Sequence, residues 1–190
     1  MESNLRTWLC IATIASLMIL SAVSEFSMGR KLWGISGTPG LWSGDIWSEH
    51  NSQFVADPYT LTHITHGVLF YGLFTLAFRS VPVSTRLMLG VAAESSWEAL
   101  ENSTPIIERY RAETISLNYY GDSIVNSMGD IVACILGFLL ASRLPKRMTI
   151  VGAIALEILL LFWTRDNLAL NILMLIRPSR AIRVWQLHQT

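Results

Sequence analysis

The chain has 190 residues, 52% of them hydrophobic, and its acidic and basic side chains cancel to no net charge. That length makes one unit rather than two soluble domains, and the lack of a basic surplus excludes bulk electrostatic attraction to nucleic acid. Cys10 and Cys134 both fall in apolar runs, where a small inert hydrophobe is expected rather than a paired metal or disulfide site.

In chain order, apolar stretches run over about 7–24, 61–78, 87–100, 123–144 and 148–164. A helix that crosses a bilayer needs about 20 largely apolar residues, with about 17 as a lower limit. The stretch 87–100 is shorter and holds Glu94 and Glu98; its short connectors place it inside a bundle, where charged side chains face protein or a wet cavity. The first stretch, with Arg6 before it and Ala22 and Ser24 at its end, also has the outline of a signal peptide. Its length and the Glu25-Phe26 that follows favour a retained span.

The loop 25–60 is rich in glycine and tryptophan and is expected to lie as irregular structure on the membrane surface. Asp57 before Pro58 signals entry into the second helix. The connector 79–86 is short and basic. In the connector 101–121, Ser103-Thr104-Pro105 predicts the start of a short helix that carries Glu108, Arg109, Arg111 and Glu113. The connector 143–147 is a tight basic turn through Pro145. The run 168–176 is too short to cross a bilayer as a helix, and Arg177, Arg180 and Arg183 alternate with Ile176, Ile182 and Trp185 as in an amphipathic surface helix. The expected fold is therefore all-α: a polytopic transmembrane helical bundle of about five spans, with a surface loop and an amphipathic tail, in one domain over 1–190. Trp8, Trp33, Trp42, Trp47 and Trp163 cluster near span ends and in the first loop, as boundary anchors do.

Lysine and arginine divide into an inner set of Arg6, Arg79, Arg86, Arg143, Lys146 and Arg147, and a larger outer set that includes Arg30, Lys31, Arg109, Arg111, Arg165 and the tail. The raw count opposes an inside N-terminus. The short connectors, which carry most of the signal, are purely basic and favour it.

Alternation brings the polar ends of the stretches to one face. His63 and His66 open the second, and Glu94, Glu98 and Glu101 close the third. Asp122, Asn126 and Asp130 open the fourth, and Arg165, Asp166 and Asn167 follow the fifth. Spacings of three and four place each set on one helix face. One carboxylate in lipid costs about 2.5–3.5 kcal/mol on insertion scales, so such groups must meet each other, a cation or water. His63 and His66 are candidate ligands for a divalent metal, and Glu98, Asp122 and Asp130 are candidate catalytic groups. Arg109, Arg111, Arg165 and Asn126 are candidates for holding substrate phosphate or carboxylate. Bland roles stand beside these: Asp122 as a helix N-cap, the histidines bonded to carbonyls, the arginines balancing charge. Glu157, near the middle of the fifth stretch, is either a protonated structural residue or part of the same network. Haem between His63 and His66 is unfavourable, since ligands on one helix face cannot be axially opposed. Asn102-Ser103-Thr104 matches a glycosylation sequon but lies too close to the membrane to carry weight.

Several motifs taken together resemble an uncharacterised family of bacterial multi-pass membrane proteins, a domain of unknown function. They are Asn51-Ser52-Gln53, Asp57-Pro58-Tyr59-Thr60, Trp97-Glu98, Glu101-Asn102, Arg109-Tyr110-Arg111, the run from Gly121 to Ser127, and Arg165-Asp166-Asn167-Leu168. The resemblance covers about 41–186 and departs at Gly34-Ile35-Ser36-Gly37, where family members carry cysteines. It implies the bacterial inner membrane and no established activity. A looser likeness to VanZ-like proteins would match His66, Glu98, Asp122 and Asn126.

The expected function is a multi-pass membrane protein whose cavity binds or processes an anionic lipid or envelope-precursor headgroup, with or without a divalent metal. Membrane lipid is then its partner. The rival is a non-catalytic structural or partner-binding protein fixed by a buried ion-pair network.

Overall fold

The computed structural model describes residues 2–34 and 36–187, without the side chains of 2–4 and 6. Ile35 and the side chain of Arg6, both used in the sequence reading, lie outside the described residues. Among those described, the chain forms α1 (Glu2–Ser27), α2 (Thr60–Ala77), α3 (Val83–Glu101), α4 (Thr104–Glu113), α5 (Ile124–Arg143), α6 (Lys146–Thr164), α7 (Leu168–Ile176) and α8 (Arg180–Leu187). The all-helical expectation holds.

Among the described residues, three helices are long and apolar enough to cross a membrane: α1 over Thr7–Ser27, α5 and α6. The sequence led us to expect five. The difference lies in α2 and α3, which have 18 and 19 residues but carry polar groups along the face they bury. Thr62, His63 and Thr65 of α2 and Arg86, Glu94 and Glu98 of α3 are all buried. Their hydropathy is diluted by an interior lining, not by an exposed polar face.

The distribution of side chains is inverted relative to a water-soluble domain. Glu25, Glu94, Glu98, Asn102, Asn126 and Ser127 are 1% exposed or less, whereas Leu76 is 70% and Phe162 82% exposed. Apolar outside and polar inside is the pattern favoured when lipid covers the surface.

The most extensive helix contact joins α2 to α5. Small residues recur every fourth position on α5, at Gly129, Ala133, Gly137 and Ala141, and they let backbones approach. A Cβ on Gly67 would stand 2.0 Å from the Cys134 carbonyl oxygen, and one on Gly137 2.0 Å from that of Ile64. The two helices run parallel, since His63 meets Asp130 near the start of both and Tyr71 meets Phe138 further along. On the other side α1 runs parallel to α3, with Cys10 Sγ at 3.7 Å from the Ser84 carbonyl and Ser21 Oγ donating to that of Ser95 at 3.4 Å.

The first loop folds back over one end of the bundle and closes it. Its carbonyls satisfy the first amides of α5, which have no intrahelical partner. Ser123 N–H donates to Ser52 O at 2.9 Å, Ile124 N–H to Lys31 O at 3.0 Å and Val125 N–H to Leu32 O at 3.3 Å. Ser123 is the N-cap: its Oγ accepts from Asn126 N–H at 3.1 Å. This corrects the expectation that Asp122 caps α5. Gly121, at φ 95, turns the chain; Asp122 N–H donates to Asn102 Oδ1 at 2.7 Å, and its Oδ2 accepts from Asn102 Nδ2 and the Tyr119 hydroxyl rather than from the helix amides. The entry to α2 is as expected: Asp57 Oδ1 accepts from Tyr59 N–H at 2.7 Å and Thr60 N–H at 3.3 Å.

The short helix α4 begins where Ser103-Thr104-Pro105 predicts it, with proline in the first turn. Beyond α6, helix α7 packs on α4 and buries Leu168 and Met174. Helix α8 is held by buried Gln186, whose Nε2 donates to Arg165 O at 2.9 Å and to Asp166 Oδ1 at 3.1 Å.

Candidate functional site

His63 sits where α2, α3 and α5 meet. Its Nδ1 lies 2.5 Å from Glu94 Oε1 and 3.4 Å from Glu98 Oε1, and its Nε2 lies 3.8 Å from Asp130 Oδ2. One turn further along α2, His66 Nδ1 reaches both Glu94 oxygens, at 3.1 and 3.0 Å. The two imidazoles meet edge to face with centroids 4.9 Å apart. The i, i+3 spacing of the histidines and the i, i+4 spacing of the glutamates produce this meeting directly.

Glu94 thus accepts from Nδ1 of both rings, which leaves Nε2 of each as the basic nitrogen. That is how a carboxylate orients imidazoles that bind a metal through the other nitrogen. His63, Glu98 and Asp130 offer ligand atoms within 4.8 Å of one another, and so do His63, His66 and Glu94. Both carboxylate oxygens of Glu98 and Oδ1 of Asp130 are buried with no hydrogen-bond partner among the described residues. Such groups are costly unless something neutralises them.

A cavity of about 490 Å³ opens beside this cluster, and His63, His66, Asp122, Asn126 and Asp130 all line it. Asp122 Oδ2 accepts from Asn102 Nδ2 and from the Tyr119 hydroxyl, both at 2.9 Å. Burial pushes its carboxyl up to about 6, against the pull of those two hydrogen bonds. Asn126 spends its side-chain amide on Phe54 O at 2.8 Å, so it ties the loop to the cavity wall.

The sequence-predicted arginines are placed differently. Arg109 Nε donates to Leu175 O at 2.9 Å, Arg111 Nε to Tyr119 O, and Arg165 Nη1 to Trp185 O at 3.1 Å. None of the three lines the cavity. Glu157 is likewise apart from the cluster, with its Oε1 buried and without a hydrogen-bond partner among the described residues. Three tyrosines that the sequence reading did not single out do line the cavity: Tyr59, Tyr110 and Tyr119. Tyr59 and Tyr119 stand in irregular segments, which leave no periodic signal, whereas Tyr110 lies in the short helix α4.

A family model described as protein of unknown function (DUF2585) matches residues 25–188. The chain belongs to this family. Its similar relatives within bacteria are UPF0314 proteins. The one from Brucella anthropi is 51% identical over 173 residues, covering 91% of this chain and 88% of that protein. That from Sinorhizobium fredii is 46% identical over 180 residues, covering 95% and 91%. The Paracoccus denitrificans protein is 45% identical over 170 residues, covering 90% and 88%. No solved structure matches the chain. DUF2585 membership carries no activity with it, so the chemistry must be argued from the cavity.

Proposed function

We propose that this DUF2585 protein is a multi-pass protein of the bacterial inner membrane that crosses it through α1, α2, α3, α5 and α6. In this reading its cavity opens at the outer leaflet and binds the phosphate-bearing headgroup of a membrane lipid through a divalent cation. The observation that carries the reading is the set of unsatisfied buried oxygens on Glu98 and Asp130 beside His63. A divalent cation there would neutralise both carboxylates and take the free imidazole nitrogen. Because Arg109, Arg111 and Arg165 do not line the cavity, the cation supplies the positive charge that phosphate requires.

A lipid ligand is supported by where the cavity opens. Leu69 of α2 and Leu100 of α3 line it, yet they are 54% and 50% exposed on the outer, apolar surface of the bundle. A ligand with its head in the polar floor would lay its chain over these residues. In the catalytic form of the proposal, His63, Glu98 and Asp130 would hold the cation, and the chemistry it would supply is Lewis-acid polarisation of phosphate and a more acidic bound water.

The test is metal content after purification in mild detergent and dialysis against zinc, manganese or magnesium. One equivalent of a divalent ion, lost in His63→Ala, is expected. Wild-type protein that binds none of the three would refute the reading.

A second reading is a sealed ion-pair network that fixes helix register. It draws on the engagement of Glu94 by both histidines. A carboxylate-reactive probe that cannot modify Asp130 in metal-free protein would favour it.

A further inference from the structure

We infer that the same cavity contains an ammonium subsite, built by Asp122, Glu101 and the tyrosines around them, and that the bound lipid carries an amine headgroup. This rests on the lipid reading above and makes it specific. The lining contains four carboxyl groups, on Asp57, Glu101, Asp122 and Asp130, and among the described residues no lysine or arginine. Asp130 is taken by the His63 cluster. Asp57 is saturated by the backbone amides of Ser52, Tyr59 and Thr60. Asp122 and Glu101 remain as carboxyl groups that no lysine or arginine of this cavity's lining pairs.

Asp122 is 7% exposed, and its two side-chain hydrogen bonds both fall on Oδ2. Its Oδ1 accepts none among the described residues, although the residue lines the cavity. Tyr110 and Tyr119 stand beside it with ring centroids 5.2 Å apart, and Tyr59 lines the same space. Carboxylates among aromatic rings attract an ammonium group by charge and by the ring quadrupole. A headgroup with a phosphate at one end and an amine at the other would satisfy both parts of the cavity: phosphate on the cation, amine on Asp122 and Glu101. An anionic headgroup such as phosphoglycerol would leave these acids unpaired.

The experiment compares binding of short-chain phosphatidylethanolamine, short-chain phosphatidylglycerol and free phosphoethanolamine to metal-loaded protein, by calorimetry in detergent. Phosphatidylethanolamine is expected to bind about tenfold more tightly than either of the others. Asp122→Asn and Glu101→Gln should each cut its preference over phosphatidylglycerol to about threefold or less, with metal content unchanged. Should Asp122→Asn fail to yield monodisperse protein, Glu101→Gln decides. Equal or tighter binding of phosphatidylglycerol, or a full preference kept by the variants, overturns the ammonium subsite and leaves the lipid reading standing. Free phosphoethanolamine binding as tightly as the lipid overturns the membrane source of the ligand. If neither lipid binds to metal-loaded protein, the lipid reading falls and takes this inference with it.

Discussion

Gly137 of α5 and Ile64 of α2 touch backbone to backbone: a Cβ at Gly137 would stand 2.0 Å from the Ile64 carbonyl oxygen. Ile64 adjoins His63, so this contact sets how far the histidine face of α2 stands from Asp130 on α5. The Gly137→Ala variant must push the two helices apart, because the obstacle is a carbonyl and not the end of a flexible side chain. A loss of about 3 kcal/mol or more is expected, toward the upper end for overpacking. Gly152→Ala on α6 is the control, since nothing lies within 4 Å of its built Cβ, and better helix propensity should leave it neutral or stabilised by up to about 1 kcal/mol. Thermal unfolding in detergent distinguishes the two. Equal melting temperatures would show that the helices do not pack this way.

Glu94→Gln tests whether the carboxylate orients the histidines. The variant keeps the shape but loses the charge that accepts from both Nδ1 groups, and metal affinity should fall about 10- to 100-fold in chelator competition. His50→Ala should change nothing, because that imidazole stacks on Phe54 in the first loop with centroids 4.5 Å apart.

Asp166 gives the protein a pH dependence of definite sign. Burial raises its carboxyl from 3.8 to about 6, although Asn167 N–H, the Tyr59 hydroxyl and Gln186 all donate to it. A folded-state value above the unfolded one means the folded protein holds the proton more tightly. Its stabilisation is therefore complete below about 3.8 and lost as the pH rises through about 6. Wild-type melting temperature should fall across that window more steeply than that of Asp166→Asn. Parallel curves would show that Asp166 does not contribute.

Arg109→Met should loosen the tail without affecting ligand binding. Arg109 Nε donates to Leu175 O in the last turn of α7, where a cation also meets the negative end of the helix dipole. A cost of about 1–2 kcal/mol is expected, read as faster proteolysis between α7 and α8, with lipid affinity unchanged within about twofold. A large loss of lipid affinity instead would return this arginine to the binding site.

The apolar helices were legible in the sequence because α1, α5 and α6 are hydrophobic on nearly every side. α3 was harder to bound. The apolar run suggests a start near 87, but the helix begins at Val83 after Pro82, so Arg86 lies inside it, buried, with Nη1 donating to Thr75 Oγ1 at 2.6 Å. A charge near a span end reads as a connector until the partner on the neighbouring helix is known.

His63, Glu98 and Asp130 could be grouped from alternation and spacing alone, because regular helices convert sequence intervals into shared faces. Tyr119 and Asn102 could not. They reach Asp122 through a connector whose path depends on the positive φ of Gly121 and on bonds to distant segments. The arginines show a different limit: a guanidinium that caps a carbonyl looks the same in sequence as one that grips phosphate.

The carbonyls of Lys31, Leu32 and Ser52 that receive the first amides of α5 belong to an earlier part of the chain. Synthesis proceeds from the N-terminus, so this template leaves the ribosome before its client helix does. The Asn102 amide that holds Asp122 is also made in advance. Shortening the glycine-rich segment is therefore expected to be felt first as misassembly of α5, whose opening amides would lose these acceptors.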